Sequence, residues 1–182
     1  MTSDESTIER RAAGIRLLLF DVDGVLTDGR ILVHPDGTES KAFSIRDGAG
    51  IVWAQRAGLR TGVLSGRHSA ATAVRAAQLG IPIVRHQRGD KLAVFDAVLR
   101  DERVDAGAVA FMGDDLLDLP VLLRVGLSAA PADADPEVAR RVHWVSRFPG
   151  GGGAARELVE LVLRAQGKWD EVLEGYLGGT RV

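Results

Sequence analysis

The sequence predicts an α/β fold built on a doubly wound, mostly parallel sheet. Three observations predict it. Short, largely unbroken apolar runs recur at 17–20, 61–64, 81–84, 108–112, 126–129 and 143–145, the pattern of strands buried on both faces. Helical patterns fill the intervals at 49–57, 70–79, 91–99 and 116–125, and strand–helix–strand at this spacing implies right-handed crossovers. Several runs stop abruptly at acidic or small polar residues, which gathers polar groups at the strands' carboxyl ends, where open α/β sheets bind ligands.

The chain of 182 residues suits a single domain over 1–182. Its 46% hydrophobic and 26% charged residues are close to the soluble globular norm. A formal charge of -2 offers no basic field for nucleic acid, and no apolar run approaches the ~20 residues of a membrane span. The absence of cysteine excludes disulfides, thiolate catalysis and Cys-ligated metal sites. A cytoplasmic location is expected.

Residues 1–13 are polar and mixed in charge, which predicts a flexible tail, at most a short helix over 6–13, and no secretory signal. The run at 17–20 is the first strand and ends at Asp21. Residues 29–44 then break the alternation with a hairpin: strands at 30–33 and 41–44 around the turn Pro35-Asp36-Gly37. Inserted there, the hairpin overhangs the carboxyl ends of the sheet, with no separate cap domain. The remaining strands and helices follow in alternation to a glycine run at 150–153, a helix over 154–165 and a C-terminal tail over 167–182. Trp53 and Trp144 read as packing residues, and Trp169 as an anchor of the tail against a partner subunit. His34, His68, His86 and His143 lack metal-ligand spacing.

The chemistry concentrates at strand ends. Asp21 and Asp23 stand two apart where the first run stops, before Gly24, a residue that lets the chain turn sharply. Such a pair can hold a hard cation and supply both a nucleophilic carboxylate and an acid/base, or merely close an Asx turn. Ser65-Gly66-Arg67 ends the run at 61–64 and offers an anion cradle or a plain helix cap. Lys91 opens a helix against the macrodipole, a placement that carboxylates and phosphate would justify. Asp114, Asp115 and Asp118 follow the run at 108–112, where they could equally be favourable acidic charge in a first helical turn.

In that order, Asp21/Asp23, Ser65, Lys91 and Asp114 resemble the four motifs of the haloacid-dehalogenase (HAD) superfamily. The stretches 21–29, 46–51, 65–67, 113–121, 125–128, 150–157 and 165–168 further resemble the 3-deoxy-D-manno-octulosonate 8-phosphate (KDO 8-phosphate) phosphatases, over roughly residues 15–170. The resemblance implies a HAD-like Rossmannoid fold and a magnesium-dependent hydrolase of a sugar acid phosphate, of the kind used in lipopolysaccharide biosynthesis. Asp21 would be the nucleophile and Asp23 the acid/base. Mg2+ would be held by Asp21, the backbone carbonyl of Asp23 and Asp114. Ser65 and Lys91 would bind phosphoryl oxygens, and Asp115 and Asp118 would orient Lys91 or metal-bound water. Substrate contacts would come from Asp23, Ser44, Ile45, Arg46, Asp47, Gly48, Ser65, Gly66, Arg67, Arg75, Lys91 and Arg156. The resemblance also implies a homotetramer in which hairpins form a small barrel, a neighbour's tail closes the site and Arg156 clamps a carboxylate from the neighbouring subunit.

The chain departs from the family pattern at Val52 and Gly152, where cations are common. A sialic-acid-type 9-phosphate or another sugar phosphate is therefore the alternative substrate. A non-catalytic assembly module of the same fold is a second reading, opposed by the intact Asp21, Asp23, Ser65, Lys91 and Asp114. A response-regulator receiver is a third. It would need its accepting Asp on a later strand than the acidic pair, and the run at 61–64 ends in Ser65 instead.

Overall fold

A computed structural model describes residues 3–86 and 89–178. Its strands are β1 (Leu17–Phe20), β2 (Leu32–Val33), β3 (Glu39–Ser40), β4 (Arg60–Ser65), β5 (Ile83–His86), β6 (Val109–Met112), β7 (Leu127–Ala130) and β8 (Trp144–Val145). Its α-helices are α1 (Ser3–Ala13), α2 (Ile45–Arg56), α3 (Ala70–Gln78), α4 (Lys91–Glu102), α5 (Leu119–Leu122), α6 (Pro136–Ala139), α7 (Ala154–Ala165) and α8 (Trp169–Leu177). Six strands pair in parallel in the order β5-β4-β1-β6-β7-β8, with β2 and β3 apart as an antiparallel ribbon. The chain leaves β1 for β4 and β5 on one side, then crosses to β6, β7 and β8 on the other. That reversal makes the carboxyl end of β1, between β4 and β6, the switch point where such sheets bind ligands.

The period of two along β1 divides the core. Leu18 and Phe20 face a layer built from Ile51 and Ala54 of α2 and Leu158, Val159 and Val162 of α7. Leu17 and Leu19 face Phe95 and Val98 of α4 and Val121 and Leu122 of α5. All four β1 side chains are buried, so the run is apolar without alternation. Asp21 N donates to Met112 O at 2.9 Å, one rung beyond the β1–β6 ladder, which fixes the first polar residue against the end of β6.

Several elements depart from the sequence expectation. Of the two expectations for the N-terminal segment, the short helix over 6–13 holds and begins earlier, at Ser3: α1 packs against α7, buries Ala12, and Arg11 donates to the Gly126 carbonyl at 2.8 Å. The tail over 167–182 carries α8, with Trp169 edge-on to Trp53 at 5.7 Å and the Trp53 indole donating to the Tyr176 hydroxyl at 2.8 Å. Trp169 thus anchors that segment to its own chain rather than to a partner. Helix α2 begins at Ile45 because the Ser44 hydroxyl caps it, accepting from Asp47 N at 3.3 Å; Gly48 and Gly50 had masked its first turns. The helical pattern at 116–125 resolves into a 3-10 turn (Leu116–Asp118) and the short α5, with Pro120 in its first turn. The hairpin stands where 29–44 placed it, but its second strand is Glu39–Ser40, not 41–44.

Candidate active site

The sheet delivers four predicted residues to one cleft: Asp21 after β1, Ser65 at the end of β4, Lys91 at the start of α4 and Asp114 after β6. The buried Lys91 Nζ donates to Asp21 Oδ1 at 2.8 Å and to Asp118 Oδ1. Asp118 is buried, and its other oxygen accepts from Asp114 N at 2.9 Å and Asp115 N at 3.3 Å. It therefore orients Lys91, as expected of it, and also shapes the loop that carries Asp114. Asp115 caps the 3-10 turn, its carboxylate accepting from Leu116 N.

Carboxylate oxygens of Asp21, Asp114 and Asp118 lie within 4.8 Å of one another. Burial pushes the Asp21 carboxyl up to about 7, the Asp118 charge adding to it and Lys91 opposing it. Burial likewise pushes Asp114 up to about 8, reinforced by Asp21, Asp118 and Asp115. Burial alone would pull Lys91 down, but Asp21 and Asp118 together raise it, so the ammonium stays charged. One cation among three carboxylates leaves the cluster short of positive charge. The donors are all oxygen, which fits a hard divalent ion such as magnesium. Gly24 completes the cradle: its φ is +91°, and a Cβ there would stand 2.0 Å from Asp114 Oδ2.

Asp23 lines the same cleft as Asp21, Ser65, Lys91 and Asp114. Its carboxylate turns from the acidic cluster to the hairpin, where Lys41 Nζ lies 2.7 and 2.9 Å from its two oxygens. Sequence reasoning missed Lys41. Only the structure reveals it: residues 39, 41 and 43 are partly buried while 40 and 42 are exposed, so Lys41 turns inward just past β3. Ser65 is buried and closes a turn, its hydroxyl donating to Arg67 O at 3.1 Å. Gly66 and Arg67 line the same cleft, although the Arg67 guanidinium donates to Glu39 of the hairpin at 2.7 Å.

No protein-family model matches the chain. It is 44% identical over 161 residues to the 3-deoxy-D-manno-octulosonate 8-phosphate phosphatase KdsC of Escherichia coli K12, covering 88% of this chain and 86% of that one. The chain belongs to the KDO 8-phosphate phosphatase family. A solved KDO 8-phosphate phosphatase from Yersinia pestis superposes with a TM-score of 0.88 at 41% identity, covering 90% of this chain and 89% of that one. Another, from Moraxella catarrhalis in complex with magnesium, phosphate and a KDO molecule, gives 0.90 at 32% identity, covering 93% and 97%.

The substrate-contact positions that the KDO 8-phosphate phosphatase family implies divide into two groups. Those at strand ends line the cleft. On α2, α3 and α7, Asp47, Arg75 and Arg156 are tied up within the fold, whereas Ile45 and Arg46 are exposed. Asp47 is buried and reaches from α2 to the start of α7, accepting from Arg156 N at 2.8 Å and Gly153 N at 3.2 Å. Burial raises its carboxyl, and those donors pull the other way. Asp47 thus caps a helix that has Gly153 and no side chain of its own at the N-cap, rather than facing the cleft. Arg75 donates to Ser44 O at 3.4 Å across Gly48, where a Cβ would come within 2.5 Å of the guanidinium. Arg156 lies over Trp53 at 3.6 Å and pairs with Glu160. With Arg46 it borders a groove beside Gly152 and Gly153, outside the cleft that holds Asp21. Ile45 is exposed at the start of α2.

Proposed function

We propose that the protein is a magnesium-dependent phosphatase that hydrolyses KDO 8-phosphate through a phosphoryl group carried on Asp21. The observation that carries the reading is the Lys91 ammonium bridging Asp21 and Asp118 at the sheet's switch point, in a cleft that Asp114 and Ser65 also line. The Asp21 carboxylate attacks phosphorus, the bond to the sugar oxygen breaks, and Asp23 gives that oxygen its proton. Asp23 then takes a proton from the water that attacks phosphorus. The bond to Asp21 breaks, inorganic phosphate leaves, and both residues return to their starting state. The Ser65 hydroxyl and the Lys91 ammonium hold the oxygens over which charge spreads. Magnesium, held by Asp21, Asp114 and the Asp23 backbone carbonyl, would supply the positive charge that lets a carboxylate approach a phosphate dianion. The upward displacement of Asp21 and Asp114 supports this reading, because only an added cation keeps both ionised near neutral pH.

The same reading makes the protein a homotetramer. Leu32 and Val33, 63% and 70% exposed, give the hairpin an uncovered apolar edge that a barrel of hairpins would bury. Arg156, outside its own chain's cleft, would serve a neighbouring one. Among the described residues no helix is long and apolar enough to cross a membrane. A sialic-acid-type 9-phosphate is the second reading of the substrate, favoured by Val52 and Gly152, which carry no cation for the ligand's acidic end.

Phosphate release from KDO 8-phosphate, a sialic-acid-type 9-phosphate, simple sugar phosphates and p-nitrophenyl phosphate, with and without magnesium, tests the proposal. Magnesium-dependent preference for KDO 8-phosphate is the expected outcome. Preference for the 9-phosphate would move the substrate, and no magnesium-dependent turnover of any ester would leave the assembly-module reading.

A further inference from the structure

We infer that Lys41 is a positioning residue for the reaction: from the hairpin it holds the Asp23 carboxylate, and through it governs proton delivery to the leaving oxygen. The inference rests on the hydrolase reading above. Lys41 Nζ contacts both oxygens of Asp23, at 2.7 and 2.9 Å, and the lysine side chain has no exposed surface. Thr72 Oγ1 of α3 stands at 3.5 Å and Glu39 Oε1 at 3.9 Å. An ammonium taken wholly out of water is costly unless paired, and here the paired group is the carboxylate proposed to move protons.

The arrangement is specific in two ways. First, the two buried lysines divide the acidic cleft between them. Lys91 bonds Asp21 and Asp118, whereas Lys41 bonds Asp23. One ammonium therefore fixes the nucleophile and the other fixes the acid/base. Second, the tether comes from the insertion and not from the sheet. Asp23 lies on a loop, its side chain 22% exposed, where a carboxylate has several rotamers open to it. Contact with both oxygens selects one of them, and the selection depends on where the hairpin sits. Glu39 of the same hairpin pairs with Arg67 at 2.7 Å, so the hairpin grips the cleft at two points.

The test compares kcat/KM for KDO 8-phosphate and p-nitrophenyl phosphate in Lys41→Met and Lys41→Gln, alone and combined with Asp23→Asn. This ratio reports steps up to departure of the first alcohol, and only the sugar alkoxide needs a proton to leave. General acid–base catalysis is worth about 10²–10⁴-fold, so loss of positioning in Lys41→Met should lower kcat/KM for KDO 8-phosphate by about 10–10²-fold and for the aryl ester by less than about threefold. In the Asp23→Asn background the same change should cost nothing further. Lys41→Gln, which retains an N–H donor, should recover part of the loss. Equal losses on both esters, or losses that multiply fully with Asp23→Asn, would overturn the inference, since a role in packing or in sugar binding behaves that way. Failure of both Lys41 variants to fold, read by thermal melting, would also overturn it in favour of a purely structural ion pair. No magnesium-dependent turnover of either ester by the unaltered protein would instead overturn the hydrolase reading, a separate and recognisable failure.

Discussion

Two regions of the molecule handle charge in opposite ways. At the ends of β1 and β6, Asp21, Asp114 and Asp118 crowd around Lys91, and burial and mutual repulsion raise Asp21 and Asp114 far above the usual carboxylate range. At the junction of α2 and α7, Asp47 is satisfied by two backbone N–H donors, and Arg156 is satisfied by Glu160 and the face of Trp53. The first region is left incomplete by its own chain, the second is completed by it. Burying charges without full compensation destabilises a fold, so such a cluster marks where a ligand contributes the missing charge. The α2–α7 junction shows the converse: a carboxylate suited to a ligand, that of Asp47, can be spent on holding two helices together.

Substitutions can break that contrast or sharpen it, and the largest effect belongs to the incomplete region. Asp21→Asn should lower kcat by more than about 10³-fold, beyond the range for one lost charge donor, because the covalent route goes with it. Steady-state phosphate release checks this, and near-normal turnover would remove Asp21 from the nucleophile's role. Lys91→Met should lower kcat by about 10²–10³-fold. Its failure to do so would mean that the Lys91 bridge serves folding alone.

Magnesium and pH sharpen the comparison at the level of stability. Unfolded, Asp21 and Asp114 ionise near 3.8; folded, they hold their protons to about 7 and about 8. Between those limits the folded state binds more protons, so without metal their contribution makes stability fall as pH rises through that window and level off above it. Magnesium should therefore raise Tm more at about pH 8 than at about pH 5, and an equal shift at both would contradict the charge account. In the completed region the expected effects are smaller. Asp47→Ala removes the acceptor at the start of α7 and should cost about 1 kcal/mol of stability, measured by denaturant unfolding. Arg156→Ala should cost about 0.5–1 kcal/mol through lost stacking on Trp53.

The same contrast explains what was legible in the sequence. Asp21, Ser65 and Asp114 each end or follow an apolar run, and Lys91 opens a helix, so local pattern and the switch-point rule suffice to bring them together. Asp118 was tied to Lys91 only through the family resemblance, which left metal-bound water as the other partner. Lys41 lies just past β3 in a stretch without apolar–polar alternation, so its inward turn shows only in the folded hairpin. The bonds of Asp47 to α7 and of Arg156 to Trp53 span about a hundred residues of sequence, and nothing local to either position announces them. The helix over 169–177 was likewise hidden, and that over 3–13 was legible only in part: short amphipathic helices draw their stability from the surface they pack on rather than from their own propensity.

The measurement that tests the central claim most directly is an acid quench of Asp23→Asn during turnover of p-nitrophenyl phosphate with magnesium, followed by mass analysis of its peptides. The nitrophenolate leaves without a proton, but the second step has lost its base, so the phosphoryl group should accumulate on the peptide containing Asp21 and vanish in the Asp21→Asn, Asp23→Asn double variant. Phosphate released with Asp21 never modified, or turnover retained once Asp21 is replaced, would contradict the account.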